Sequence, residues 1–103
     1  MAQFTLYRNN NKQTRANYPY LLDVQAELLQ SLKTRLVVPA IHSATGSAID
    51  KLNPVFTLGD EQYLLLMQQM AGIPVANLGE TATDLSYLRT EIIAAIDILI
   101  TGI

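Results

Sequence analysis

Asp84-Leu-Ser-Tyr-Leu-Arg-Thr-Glu-Ile-Ile-Ala-Ala-Ile-Asp-Ile-Leu-Ile-Thr-Gly-Ile103 carries the one long helical period of the chain, and everything before it reads as sheet. Leu85, Leu88, Ile92, Ala95, Ile96, Leu99 and Ile103 recur at steps of three and four, which lines them along one stripe facing a core. Ser86 is the expected N-cap, its hydroxyl able to accept a first-turn amide, with Asp84 as the competing cap. Gly102 is the expected stop. Ile93, Ile98 and Ile100 are apolar on the side where a monomeric helix shows charge, and no polar tail follows Ile103. Such a helix calls for a second surface. The helix alone does not choose between core or dimer packing and a partner that receives its end.

Upstream, residues 55–58 and 62–68 flank Gly59-Asp60 and make the best hairpin, with the Leu64-Leu65-Leu66-Met67 run in the central sheet. Residues 73–78 return as a strand that Pro74 assigns to an edge, and Gly79-Glu80-Thr81 leads to the helix. Residues 35–41 place Leu36-Val37-Val38 before Pro39 as a short, almost wholly apolar strand, which implies cover on both faces. In residues 18–25, Leu22 and Val24 alternate with Asp23 and Gln25, so Asp23 faces outward; Pro19 confines the start to a sheet margin. Residues 26–32 carry Leu28-Leu29. Neighbours on a strand point to opposite faces, so both leucines cannot enter one core, and one is free to bind.

At the front, Phe4 and Leu6 alternate with Gln3, Thr5 and Tyr7 as a first strand. Residues 8–17 hold four asparagines and three cations and read as a solvated, mobile connection that also suits an acidic partner. Residues 42–51, with Ser43, Thr45, Gly46 and Ser47, read as a loop. The sum is about six strands and one helix in a single domain over residues 1–103. That is an α+β, mainly β chain: an antiparallel sheet or small open barrel without parallel βαβ units.

Half of the 103 residues are hydrophobic and only 16% are charged. A domain of this size struggles to cover that much apolar surface, so a two-fold homodimer is expected. The net charge of -2 with scattered cations argues against nucleic acid as the main partner. There is no cysteine, and the one histidine, His42, sits in a Ser/Thr/Gly loop as an exposed residue. A nucleophile with its base and a zinc site are therefore both poorly served, and no catalytic residue, metal or cofactor is expected. No phosphate-binding loop is present. Asp60-Glu61 suits a hairpin turn. Arg35, beside Thr34, and outward Asp23 could serve metal-free phosphoryl transfer, but binding is the better class. With no signal-peptide core and no apolar run of membrane-spanning length, the expected location is the cytoplasm, with no membrane partner.

Several stretches together resemble the CcdB family of plasmid-addiction toxins. They are Phe4 with Leu6-Tyr7; Asp23-Val24-Gln25; Arg35-Leu36-Val37-Val38-Pro39; Pro54-Val55; Leu58-Gly59-Asp60-Glu61; Met67 with Met70-Ala71; Ile73-Pro74-Val75; Gly79-Glu80; Asp84-Leu85-Ser86; and Gly102-Ile103. They stand in the family's order across essentially the whole chain. The resemblance implies an SH3-like sheet of the CcdB/MazF toxin type with a C-terminal helix, paired as a tight homodimer. It implies a non-enzymatic wedge that enters the DNA gyrase A subunit and traps the cleaved gyrase–DNA complex. A cognate CcdA-like antitoxin would neutralise it through a flexible acidic segment.

Carried over by position, the gyrase-binding set is Leu28, Leu29, Asp97, Ile100, Thr101, Gly102 and Ile103. The best-studied family pattern has tryptophan where Thr101 stands and an amide where Asp97 stands. An indole stacks on a guanidinium for roughly 0.5–2 kcal/mol and threonine does not, so binding is expected to lean on Ile100, Ile103 and the leucine pair. Two alternatives stand beside this: an endoribonuclease toxin on the same fold, dependent on Arg35, and a non-toxic chromosomal relative that binds only antitoxin.

Overall fold

The sheet is organised about one nine-residue strand, β3 (Thr34–His42), in a computed structural model that describes residues 2–45, 48–49 and 51–102. On one side it pairs with β2 (Tyr20–Asp23), which pairs with β1 (Thr5–Asn9), which pairs with β7 (Leu78–Asp84). On its other side it pairs first with β6 (Ala71–Pro74) and then with β5 (Glu61–Leu65), which carries β4 (Val55–Leu58) at the edge. Every pairing is antiparallel. The result is an open, curled sheet with α1 (Arg89–Thr101) packed on one face.

Strand β3 runs through Pro39, as the expected strand over residues 35–41 does, and extends one residue further at each end. Val37 is paired with Ala71 of β6 and Ala40 with Leu65 of β5, so Pro39 stands where β3 changes partner. Its carbonyl accepts the Leu66 N–H at 2.9 Å on that side. A residue without an N–H is tolerated in a central strand only at such a break in the ladder.

Register sets the two faces. Leu6, Leu22 and Val38 lie opposite one another on three adjacent strands. They join Ala40, Phe56, Leu65 and Met67 under Leu85, Ile92 and Ala95 of the C-terminal segment. On the other face, Tyr7, Leu21, Val37 and Leu78 form a smaller cluster with Ile73. The helical stripe is therefore read correctly at its start, with Leu88 and Ile96 half-buried, and it fades outward to exposed Leu99. Ile103 lies outside the described residues.

Seven strands are seen among the described residues where about six are expected. The extra one is β7: Gly79-Glu80-Thr81, expected as a connection, lies inside it. Its sequence is polar because it closes the sheet as an edge strand with one side against β1. Met67 is not sheet but opens a 3-10 turn, Met67–Gln69.

The helix also starts later than the periodicity suggests. Asp84 ends β7 and its carboxylate accepts the Ser86 N–H at 2.9 Å and the Ser86 hydroxyl at 2.8 Å. Neither expected cap is seen: Asp84 and Ser86 bond to each other in a local turn, the Ser86 hydroxyl donating, and no side chain caps α1. A 3-10 turn, Ser86–Leu88, follows before α1. At the other end, Gly102 has φ +80° and its N–H bonds to the Ile98 carbonyl at 2.9 Å, the left-handed stop expected of it.

Residues 8–17 are not a free connection. Asn9 is buried in β1, its amide donates to the Thr14 hydroxyl at 3.0 Å and the Tyr18 carbonyl at 2.9 Å, and its oxygen accepts the Asn11 N–H. His42 closes β3 rather than opening a loop, and a 3-10 turn, Ser43–Thr45, follows it. Gly46, Ser47 and Asp50 of the expected loop lie outside the described residues. No helix among the described residues is long and apolar enough to cross a membrane.

Candidate protein-interaction site

The turn between β2 and β3 begins from a buried ion pair. Asp23 lies directly opposite Val37, so Arg35, two residues away, shares its face. Arg35 Nε and Nη2 donate to Asp23 Oδ2 at 2.9 and 2.6 Å, and both side chains are fully buried. Asp23 was expected to face out: alternation finds the face away from α1 but not the guanidinium that covers it. Arg35 Nη1 is buried without a hydrogen-bond partner among the described residues. Arg35 and Asp23 are thus withdrawn from any substrate at the surface.

Above this pair, residues 26–34 are all exposed. They are not extended, as the sequence suggests, but contain a 3-10 turn, Glu27–Leu29. Leu29, Gln30 and Leu32 donate their N–H groups back to Ala26, Glu27 and Leu29. Both leucines reach solvent, Leu28 at 90% exposure and Leu29 at 45%. The expectation that one of the pair is free therefore understates the surface, because a turn has no opposite face to bury the other.

At the end of α1, Asp97, Ile100, Thr101 and Gly102 are exposed together, Ile100 at 73%. The Thr101 hydroxyl donates to the Asp97 carbonyl at 2.6 Å, so it turns back along its own helix. Asp97 closes a shallow groove of about 370 Å³ that runs along the helix from Arg89 past Ile93. Within one chain the two sets occupy separate elements, the β2–β3 turn and the last turn of α1.

A third cluster went unread in the sequence. His42 Nδ1 stands 2.9 Å from Glu61 Oε2, and the Tyr63 hydroxyl lies 3.3 Å from the same oxygen. Tyr63 stacks on Phe56 at 5.3 Å and meets the Tyr20 ring edge-on at 5.2 Å. Burial, then Tyr20 and Glu61, push its phenol up from 10.0 to about 12. The register His42↔Tyr63 makes this cluster, and no spacing along the chain announces it. Among the described residues, no group of three or more His, Asp or Glu side chains is placed to hold a metal ion.

A solved structure described as an "Mtb toxin" superposes with a TM-score of 0.71 over 91% of this chain and 98% of that one, at 16% identity. The chain therefore has the fold of a small toxin. A family model described as "CcdB protein" matches residues 3–102, and the chain belongs to the CcdB family. It is a toxin of the toxin–antitoxin class, and an antitoxin partner is implied.

Proposed function

We propose that the protein is a gyrase poison: a cytoplasmic homodimer that inserts its two helix ends into the DNA gyrase A subunit and holds the enzyme on cleaved DNA. The reading is supported above all by the exposed apolar end of α1, where Ile100 is 73% exposed on a helix that is otherwise anchored in the core. An aliphatic side chain held out by a rigid helix buries its area in a partner without first losing much conformational freedom. Leu28 and Leu29 offer a second aliphatic contact. Asp97, Thr101 and Gly102 complete the surface, with Ile103 assigned by the family likeness. The wedge needs no catalytic group of its own.

Thr101 supplies no ring to stack on a guanidinium, so the aliphatic residues carry the contact. The test is a gyrase assay with purified protein that scores supercoiling inhibition and linear plasmid trapped after detergent and protease. Linear product is expected, and it is expected to vanish when residues 101–103 are deleted. A folded protein that neither inhibits supercoiling nor yields linear DNA would sink the proposal.

A further inference from the structure

The leucine pair is presented by a turn that has no buried residue of its own, which raises the question of what holds it still. The Gln25 side chain supplies the tie. Its Nε2 donates to the Leu29 carbonyl at 3.1 Å, and its Oε1 accepts the Leu36 N–H of β3 at 2.9 Å. One amide thus staples the outer limb of the turn to the sheet. Gln25 is itself fixed: it is buried, its N–H donates to Asp23 Oδ1 at 3.0 Å, and its carbonyl has a long 3.5 Å contact with Arg35 Nη2.

We infer that Gln25 is a positioning residue for partner binding, which sets the orientation of Leu28 and Leu29 without touching the partner. The inference rests on the gyrase-binding reading. A carbonyl at Leu29 that loses its donor can bond to water instead, so the turn samples other conformations and each binding event must reorder it. Replacement by methionine keeps length and removes both bonds. Replacement by glutamate keeps an acceptor for Leu36 and removes the donor to Leu29.

The experiment measures affinity of the purified, folded protein for a gyrase A fragment, with amide exchange across residues 26–33. Gln25→Met and Gln25→Glu are each made in the wild-type chain and in a Leu28→Ala/Leu29→Ala background. Loss of a net hydrogen bond predicts affinity about fivefold weaker in the wild-type chain, with faster exchange at Leu29, Gln30 and Leu32. In the leucine-free background the same changes are expected to leave affinity unmoved, which a general loss of stability would not do. Equal weakening in both backgrounds, or full affinity with a loosened turn, overturns the positioning role alone. A wild-type chain that binds no gyrase A removes the gyrase reading and this role with it.

Discussion

The β2–β3 turn and the end of α1 both present aliphatic side chains to solvent, yet they are held by opposite means. The helix is anchored by apolar burial, with Ile92 and Ala95 fully buried against the sheet one to two turns before exposed Ile100. The turn is anchored by polar groups: the Asp23–Arg35 pair beneath it and the Gln25 amide beside it. Apolar packing degrades gradually as atoms are removed, whereas a buried charge without its partner is costly at once. The two halves of one proposed surface should therefore fail differently.

The largest effect is expected from breaking the polar anchor. Arg35→Met leaves the Asp23 carboxylate buried alone and should cost about 3–5 kcal/mol in urea unfolding. The double change Asp23→Leu/Arg35→Met should recover most of that, because no charge is then left unpaired. If the double variant is no more stable than the single one, the turn is not held through this pair. Ile92→Ala, on the apolar side, should cost about 3 kcal/mol through lost burial and a cavity. Amide exchange should then rise first along α1, with the β2–β3 turn still protected.

Smaller effects sharpen the contrast. Gly102→Ala places a Cβ at φ +80° and should cost about 1 kcal/mol, confined to fraying of the last helical turn. Equal loosening of the β2–β3 turn would show the two regions to be coupled within one chain. Tyr63 lies in neither region and provides the reference. Its proton is held more tightly in the folded chain, up to about 12 against 10.0, so its contribution is complete below pH 10 and is lost as pH rises from there through 12. Urea midpoints should fall over that range, and Tyr63→Phe should flatten the fall without changing the behaviour of either aliphatic region.

Local chemistry made some features legible in the sequence. Gly59 turns the β4–β5 hairpin at φ +64°, and Gly102 ends the helix, each at a site where a left-handed residue is required. The stripe from Leu85 to Ala95 marked the helix face that packs on the core. Several of the misreadings depend on a neighbour distant along the chain. Asp23 pointed to the face expected of it, but Arg35 on the next strand covers it there, on a face that also buries Tyr7, Leu21, Val37 and Leu78. The polar run Gly79-Glu80-Thr81 becomes a strand because β1 offers it an edge. Leu28 and Leu29 were expected to diverge as neighbours on a strand, leaving one exposed, whereas a local 3-10 turn exposes both. Gln25 read as the polar half of an alternation, since nothing in its spacing reveals that Leu29 and Leu36 converge on its amide.

The pairing of β1 with β7 sets an order of events on the ribosome. Thr5 lies opposite Asp84, and the Phe4 carbonyl accepts the Leu85 N–H at 2.8 Å. Strand β1 must wait for β7, the last of the seven strands among the described residues, before its outer edge is covered, and Ile92 and Ala95 arrive later still. A nascent chain therefore remains open through most of its synthesis, with long-range pairing that is slow to form. The C-terminal helix follows the strands that anchor it, so a chain cut short before α1 lacks the exposed aliphatic end that Ile100 presents.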